Sequence, residues 1–157
     1  MQTLNKCLNT CIFRRYLNKT KLLSTQGIEI CTEYFKNRGH KNIKVILPSY
    51  RFRPDMSDNH ISLQKLEKKG IVIKIPSSSH DDNWILQTAV DNDAIVISND
   101  NYRKERESFP EFRHIIDNRL LKYAWTDPET IRFCLDPRGS DRSTSRPNVT
   151  LDDYLKA

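Results

Sequence analysis

Three aspartates are the residues of this chain best suited to chemistry: the adjacent pair Asp81 and Asp82, and Asp100 further on. Each site follows a run of apolar, largely β-branched residues, Ile71–Ile75 before the pair and Ala94–Ile97 before Asp100. Carboxylates drawn together repel one another unless a cation lies between them. A ligand set made only of oxygen suits Mg²⁺ or Mn²⁺ better than zinc. A structural alternative stands beside this reading. Asp81 or Asp82 can serve as the N-cap of the following helix and stabilise its dipole. Ser98-Asn99-Asp100-Asn101 can likewise be a polar turn whose side chains bond to their own backbone.

The elements around these residues decide where they meet. Gly27–Arg38 has Ile28, Cys31, Tyr34 and Phe35 at helical spacing, with Gly39 as a stop. Asn42–Leu47 reads as a strand closed by Pro48, and the stretch from Pro48 to Asp58 as a loop. His60–Lys69 reads as an amphipathic helix ending at Gly70, and Ile71–Ile75 as a strand. After the loop Pro76–Ser79, Asp81–Val90 is helical, and a strand over 94–98 follows. Phe109-Pro110 opens a helix with Ile115, Ile116, Leu120 and Leu121 as its buried stripe, and Tyr123–Thr126 is the last strand. Asp136–Asn148 reads as loop and Leu151–Ala157 as a closing helical turn. Alternating helix and strand is the pattern of an α/β fold with a doubly wound, mainly parallel sheet. In such a sheet the carboxyl ends of neighbouring strands converge, and both aspartate sites follow strands.

The 157 residues suit one domain, and no apolar run reaches the length of a membrane-spanning helix, so no membrane partner is expected. Cys7, Cys11, Cys31 and Cys134 form no CxxC pair, which disfavours a zinc site or disulfide framework and favours a reducing compartment. Nearly all of the net charge of +6 sits in residues 1–28, which hold Lys6, Arg14, Arg15, Lys19 and Lys21 and no acid. A basic excess fits a nucleic-acid partner. Confined to one end and acid-free, it also resembles a mitochondrial transit segment.

The stretches ICTEYFKNRGHKNIKVILPSYR, LEKKGI, HDDNWIL, ISNDNYR, RLLKYAW, DPRG and LDDYLK resemble, in order and at nearly the same spacing, the NYN ribonuclease domains of the Regnase-type and KH-and-NYN-type proteins. The resemblance covers residues 27–157, leaving 1–26 as a basic segment with a divergent or incomplete first strand. It implies a PIN-like fold and a Mg²⁺- or Mn²⁺-dependent endoribonuclease acting in mRNA decay, on single-stranded or looped RNA. Asp81 and Asp82 match the family's paired aspartates and Asp100 the aspartate of its SND motif, with Asp82 and Asp100 as metal ligands. Such a metal activates water and stabilises charge on the phosphorus centre. Arg51, Arg53, Tyr102 and Arg103 are the candidates for RNA contact, with Tyr50 beside them. The resemblance further implies homo- or heterodimers with a related NYN domain. It points to the cytoplasm, RNP granules or nucleus, with mitochondria as the alternative.

The chain also departs from the pattern. The family's first strand ends in a V-I-D-G-S-N-V type motif, expected near residues 5–12, yet no acid occurs before Glu29. Lys104 stands where a further acid is common, and the loop before the paired aspartates is shortened to Pro76–Ser79. Losing a carboxylate from such a site costs orders of magnitude in rate. Three explanations compete: a truncated or alternatively spliced chain, a pseudo-nuclease that binds RNA or a partner, or a slow enzyme holding one metal weakly. His40, His60, His80 and His114 show no ligand spacing and read as structural or exposed, His80 alone standing near the site; Trp84 and Trp125 read as core.

Overall fold

Parallel strands cannot be joined by a tight turn, so each must be followed by a crossover that packs on one face of the sheet. The structure, a computed structural model, describes residues 8–10, 22–77, 80–126 and 132–135, with backbone alone for 8–10, 124–126 and 132–135. Leu8–Thr10 (β1), Ile43–Pro48 (β2), Val72–Ile75 (β3), Ile95–Ile97 (β4) and Leu120–Leu121 (β5) form a sheet of order β3-β2-β1-β4-β5. Every pairing in it is parallel. β1 is the central strand: Leu8 faces Ile43 and Ile95, Asn9 faces Lys44 and Val96, and Thr10 faces Ile97. The helices are Thr25–Lys36 (α1), His60–Lys68 (α2), Asp81–Asp91 (α3), Arg103–Ser108 (α4) and Arg113–Asn118 (α5).

Strands covered on both faces read as continuous apolar runs, and the burial shows why. Ile95 and Ile97 of β4 pack in one core with Ile28, Cys31 and Phe35 of α1 and Leu63 of α2. Val96, between them, packs in the other with Ile85 and Leu86 of α3 and Ile115 of α5. The expected doubly wound α/β sheet is therefore present. α1 starts where the Ser24 hydroxyl accepts the Gly27 N–H at 3.1 Å, and α2 where Asn59 Oδ1 accepts the Ser62 N–H at 3.0 Å. Caps of this kind contribute about 1 kcal/mol each. Gly39 and Gly70 follow α1 and α2 at φ +86 and +72, the left-handed backbone that glycine adopts without strain. Burial pushes the Cys31 thiol well up from its ordinary value, so it behaves as a core residue.

Several expectations need correction. The helix expected from Phe109 through Leu121 stops at Asn118, and Leu120–Leu121 is the edge strand β5. Two apolar pairs spaced five apart suit either arrangement. Arg119 separates them, its guanidinium bonded to the Asp93 carbonyl at 2.7 Å and paired with its carboxylate at 3.0 Å. Tyr123–Thr126 (β6) is a strand, but it pairs antiparallel with Arg132–Leu135 (β7) and stands outside the main sheet. α4 was not anticipated: it buries no residue, so no apolar period announces it, and Arg106 pairs with Asp117 of α5 at 2.7 Å. Trp84 is 47% exposed on α3 and is not core, while the Trp125 side chain lies outside the described residues. The expected 136–148 loop and 151–157 turn also lie outside them. β1 lies within 1–26, where a divergent or incomplete first strand is expected, and it is hydrogen-bonded on both sides into the sheet. No helix among the described residues is long and apolar enough to cross a membrane.

His40 gives this fold a pH dependence. The residue is 6% exposed, and its ring stands edge-on to Phe35 at 5.8 Å and leaves Nε2 buried with no hydrogen-bond partner among the described residues. Burial first, and the nearby Arg38 charge second, lower its pKa from the ordinary 6.5. The unfolded chain therefore binds the His40 proton more readily than the folded one. Stability from a neutral His40 is fully present above pH 6.5 and is lost as pH falls towards the lowered folded value. The melting temperature should drop on acidification below that point, and His40→Gln should flatten the drop. An identical pH profile in wild type and variant would rule this residue out.

Candidate functional site

β4 ends at Ile97, and the turn that follows is built by its own side chains. The Ser98 N–H donates to the Leu121 carbonyl at 3.0 Å, and the Asp100 N–H donates to the Ser98 hydroxyl at 3.1 Å. Asp100 Oδ1 accepts the Tyr102 N–H at 2.8 Å, and Asn99 Oδ1 accepts the Tyr123 N–H at 3.0 Å. The Lys122 ammonium donates to the Asp100 carbonyl at 2.8 Å and to Asn101 Oδ1 at 2.5 Å. Tyr102 is left-handed, with φ 47 and ψ 38, a conformation costing a non-glycine residue about 1–3 kcal/mol. Burial of its ring, 1% exposed, and the bond to Asp100 offset that cost. The self-bonded turn is thus real, and it holds Asp100 half-buried at the carboxyl edge of the sheet.

Asp81 and Asp82 lie in the first turn of α3, but neither is its N-cap. That position is His80, which makes no side-chain capping bond, so the capping expectation is corrected. Carboxylates in a first turn still interact favourably with the helix dipole, by about 0.3–1 kcal/mol each. α3 follows β3, so the pair leaves the same edge of the sheet as Asp100. The turn after β2 arrives there too. Ser49 and Ser77 share a hydroxyl hydrogen bond of 2.6 Å, and Ser77 Oγ accepts the Tyr50 N–H at 2.9 Å, joining the ends of β2 and β3. The Arg51 guanidinium lies 4.9 Å over the Tyr50 ring. Arg53 and Arg103 are exposed. Tyr102, expected to contact RNA, is buried among Val96, Phe112 and Ile115, so its ring cannot stack on a base.

The fit of a divalent metal to these residues is poor. Among the described residues, no three His, Cys, Asp or Glu side chains come together as a group able to hold an ion. The central strand, Leu8-Asn9-Thr10, carries no carboxylate. An ammonium, Lys122, is bonded to the very loop that presents Asp100. Lys122 and Asn99 escaped the sequence reading because their partners lie more than twenty residues away in the chain. No local pattern signals such a pairing.

Asp100 has a structural duty that a substitution can isolate. Asp100→Ala should lower stability by about 1–2 kcal/mol, since the Tyr102 N–H loses its acceptor. Asp100→Asn keeps an acceptor oxygen and should lose much less. Denaturant unfolding of both variants checks this; equal losses would show that the Oδ1 bond does not support the turn.

Residues 8–149 match the Zc3h12a-like Ribonuclease NYN domain, a span that takes in β1 as well as the segments whose resemblance is evident from residue 27 onward. Endoribonuclease rege-1 of Caenorhabditis elegans is 33% identical over 121 residues, covering 69% of this chain and 19% of that protein. The chain therefore spans about a fifth of the length of this relative. Two structures of nuclear protein-only RNase P 2 from Arabidopsis thaliana share the fold, with TM-scores of 0.62 and 0.63 at 14% and 15% identity. They cover 83% and 82% of this chain and 30% and 29% of their own. The fold is the PIN-like α/β fold, and the chain belongs to the Zc3h12a-like ribonuclease NYN domain family.

Proposed function

We propose that this chain binds single-stranded or looped regions of RNA, messenger RNA in particular, and that its Mg²⁺-dependent hydrolysis is impaired. The observation that carries the reading is β1. It is the central strand, hydrogen-bonded between β2 and β4, and it brings Leu8, Asn9 and Thr10 but no acid to the edge where Asp100 and the Asp81–Asp82 turn emerge. A nuclease of this kind needs clustered carboxylates to fix an ion and the water it activates. Asp81, Asp82 and Asp100 alone are a weak set, and Lys122 reduces the local negative charge further.

RNA binding asks less of the site. Arg51, stacked over Tyr50, and the exposed Arg53 and Arg103 follow the carboxyl ends of β2 and β4, where a backbone phosphate can meet them. Tyr50, half-buried beside them, is the aromatic side chain that could stack on a base.

The test uses an unstructured RNA and protein free of contaminating nuclease. The unmodified chain should bind the RNA and cut it little or not at all with Mg²⁺. Asn9 is the middle residue of β1, in register with Lys44 and Val96, so Asn9→Asp places a carboxylate in the central strand. It should raise Mg²⁺-dependent cleavage by at least about tenfold, since lost charge stabilisation costs that much or more. Arg51→Ala with Arg103→Ala should weaken binding and lower its salt slope by about 1.4, the change for two phosphates of a single strand. Efficient cleavage by the unmodified chain that disappears in Asp100→Asn would overturn the impaired reading and leave Asp81, Asp82 and Asp100 as a sufficient site.

A further inference from the structure

Lys122 joins β5 to β6, and both of its neighbours are fastened to the turn that presents Asp100. The Leu121 carbonyl accepts the Ser98 N–H at 3.0 Å, and the Tyr123 N–H donates to Asn99 Oδ1 at 3.0 Å. With the chain anchored on either side, the half-buried Lys122 ammonium is held against the Asp100 carbonyl oxygen at 2.8 Å and Asn101 Oδ1 at 2.5 Å. A carbonyl oxygen and a side-chain amide oxygen are neutral oxygen donors of the kind hard cations take. Here a cation from the chain itself already engages them.

We propose that Lys122 is a resident counter-cation of the Asp100 turn: it supplies the positive charge that orders this turn without a metal ion, and it disfavours a divalent ion beside Asp100. The inference deepens the proposed function and rests on its reading of an incomplete carboxylate set. A fixed ammonium repels a dication at short range, most strongly where solvent is partly excluded. The same ammonium removes the need for an ion, because the oxygens that would otherwise face one another are bridged by its protons.

Mn²⁺ alone is the probe, read by the rise in melting temperature on titration, since an ion bound only by the folded chain stabilises it. The unmodified chain should respond weakly, and Lys122→Arg should behave like it. Lys122→Gln keeps a donor to the Asp100 carbonyl but removes the charge, and it should bind Mn²⁺ on the order of tenfold more tightly. Lys122→Met should do the same if the turn survives without the bond, and the Gln variant keeps the test decisive if it does not. Adding Asp100→Asn to Lys122→Gln should abolish the gain. Equal Mn²⁺ affinity in the unmodified chain and Lys122→Gln would overturn the counter-cation, as would a gain that persists with Asp100→Asn. RNA cleavage on the same preparations separates the two ideas: efficient cutting by the unmodified chain sinks the impaired-nuclease reading. Equal Mn²⁺ affinity without cutting sinks only the role of Lys122.

Discussion

The burial of β4 on both of its faces is the constraint on which this molecule depends. Ile95 and Ile97 are held by α1 and α2, and Val96 by α3 and α5, so no residue of the strand can be polar. The chain can change character only where the strand ends, and it does so at once, in Ser98-Asn99-Asp100-Asn101. Parallel pairing then sends the ends of β2, β3 and β4 to one edge, because every crossover returns the chain to the same starting side. The collection of Arg51, Asp81, Asp82 and Asp100 at that edge follows from hydrophobic burial before any chemistry is asked of them.

At Asp100 the turn reading is the one the hydrogen bonds bear out. One carboxylate oxygen holds the Tyr102 N–H, and this bond, with burial of the phenol ring, supports a left-handed tyrosine. The turn chemistry is what aims the residue. At Asp81 and Asp82 the division is different: His80 takes the N-cap position, and both carboxylates lie in the first turn, where the helix dipole favours them.

What was legible in the sequence was whatever carried an apolar period of its own. α1 and α2 stood out because their buried residues recur at helical spacing, and β2, β3 and β4 because they are short, nearly continuous apolar runs. α4 was invisible because a helix that buries nothing has no such period. β5 was hidden because two apolar residues after a helix look like its continuation until Arg119 is seen bonded to Asp93. Trp84 misled for a related reason: a large aromatic next to Ile85 and Leu86 suggests core, but one residue's offset on a helix turns it through about 100° to the exposed side. For the site, the sequence supplied the acids and the arginines. It could not supply Tyr102's burial, or a lysine whose partners lie more than twenty residues back in the chain, after the neighbouring strand.

The absence of an acid in β1 and the presence of Lys122 act in the same electrostatic direction. Like charges gathered at one edge raise the free energy of a folded chain unless a cation lies among them. Removing an acid from the central strand relieves part of that repulsion, and an ammonium bonded to the Asp100 turn offsets more of it. A turn balanced in this way no longer needs an ion for its stability. Asp100 has a structural reason to be there whatever chemistry the edge performs. The bond from Oδ1 to the Tyr102 N–H is that reason, because the buried tyrosine and the start of α4 both hang on that left-handed residue.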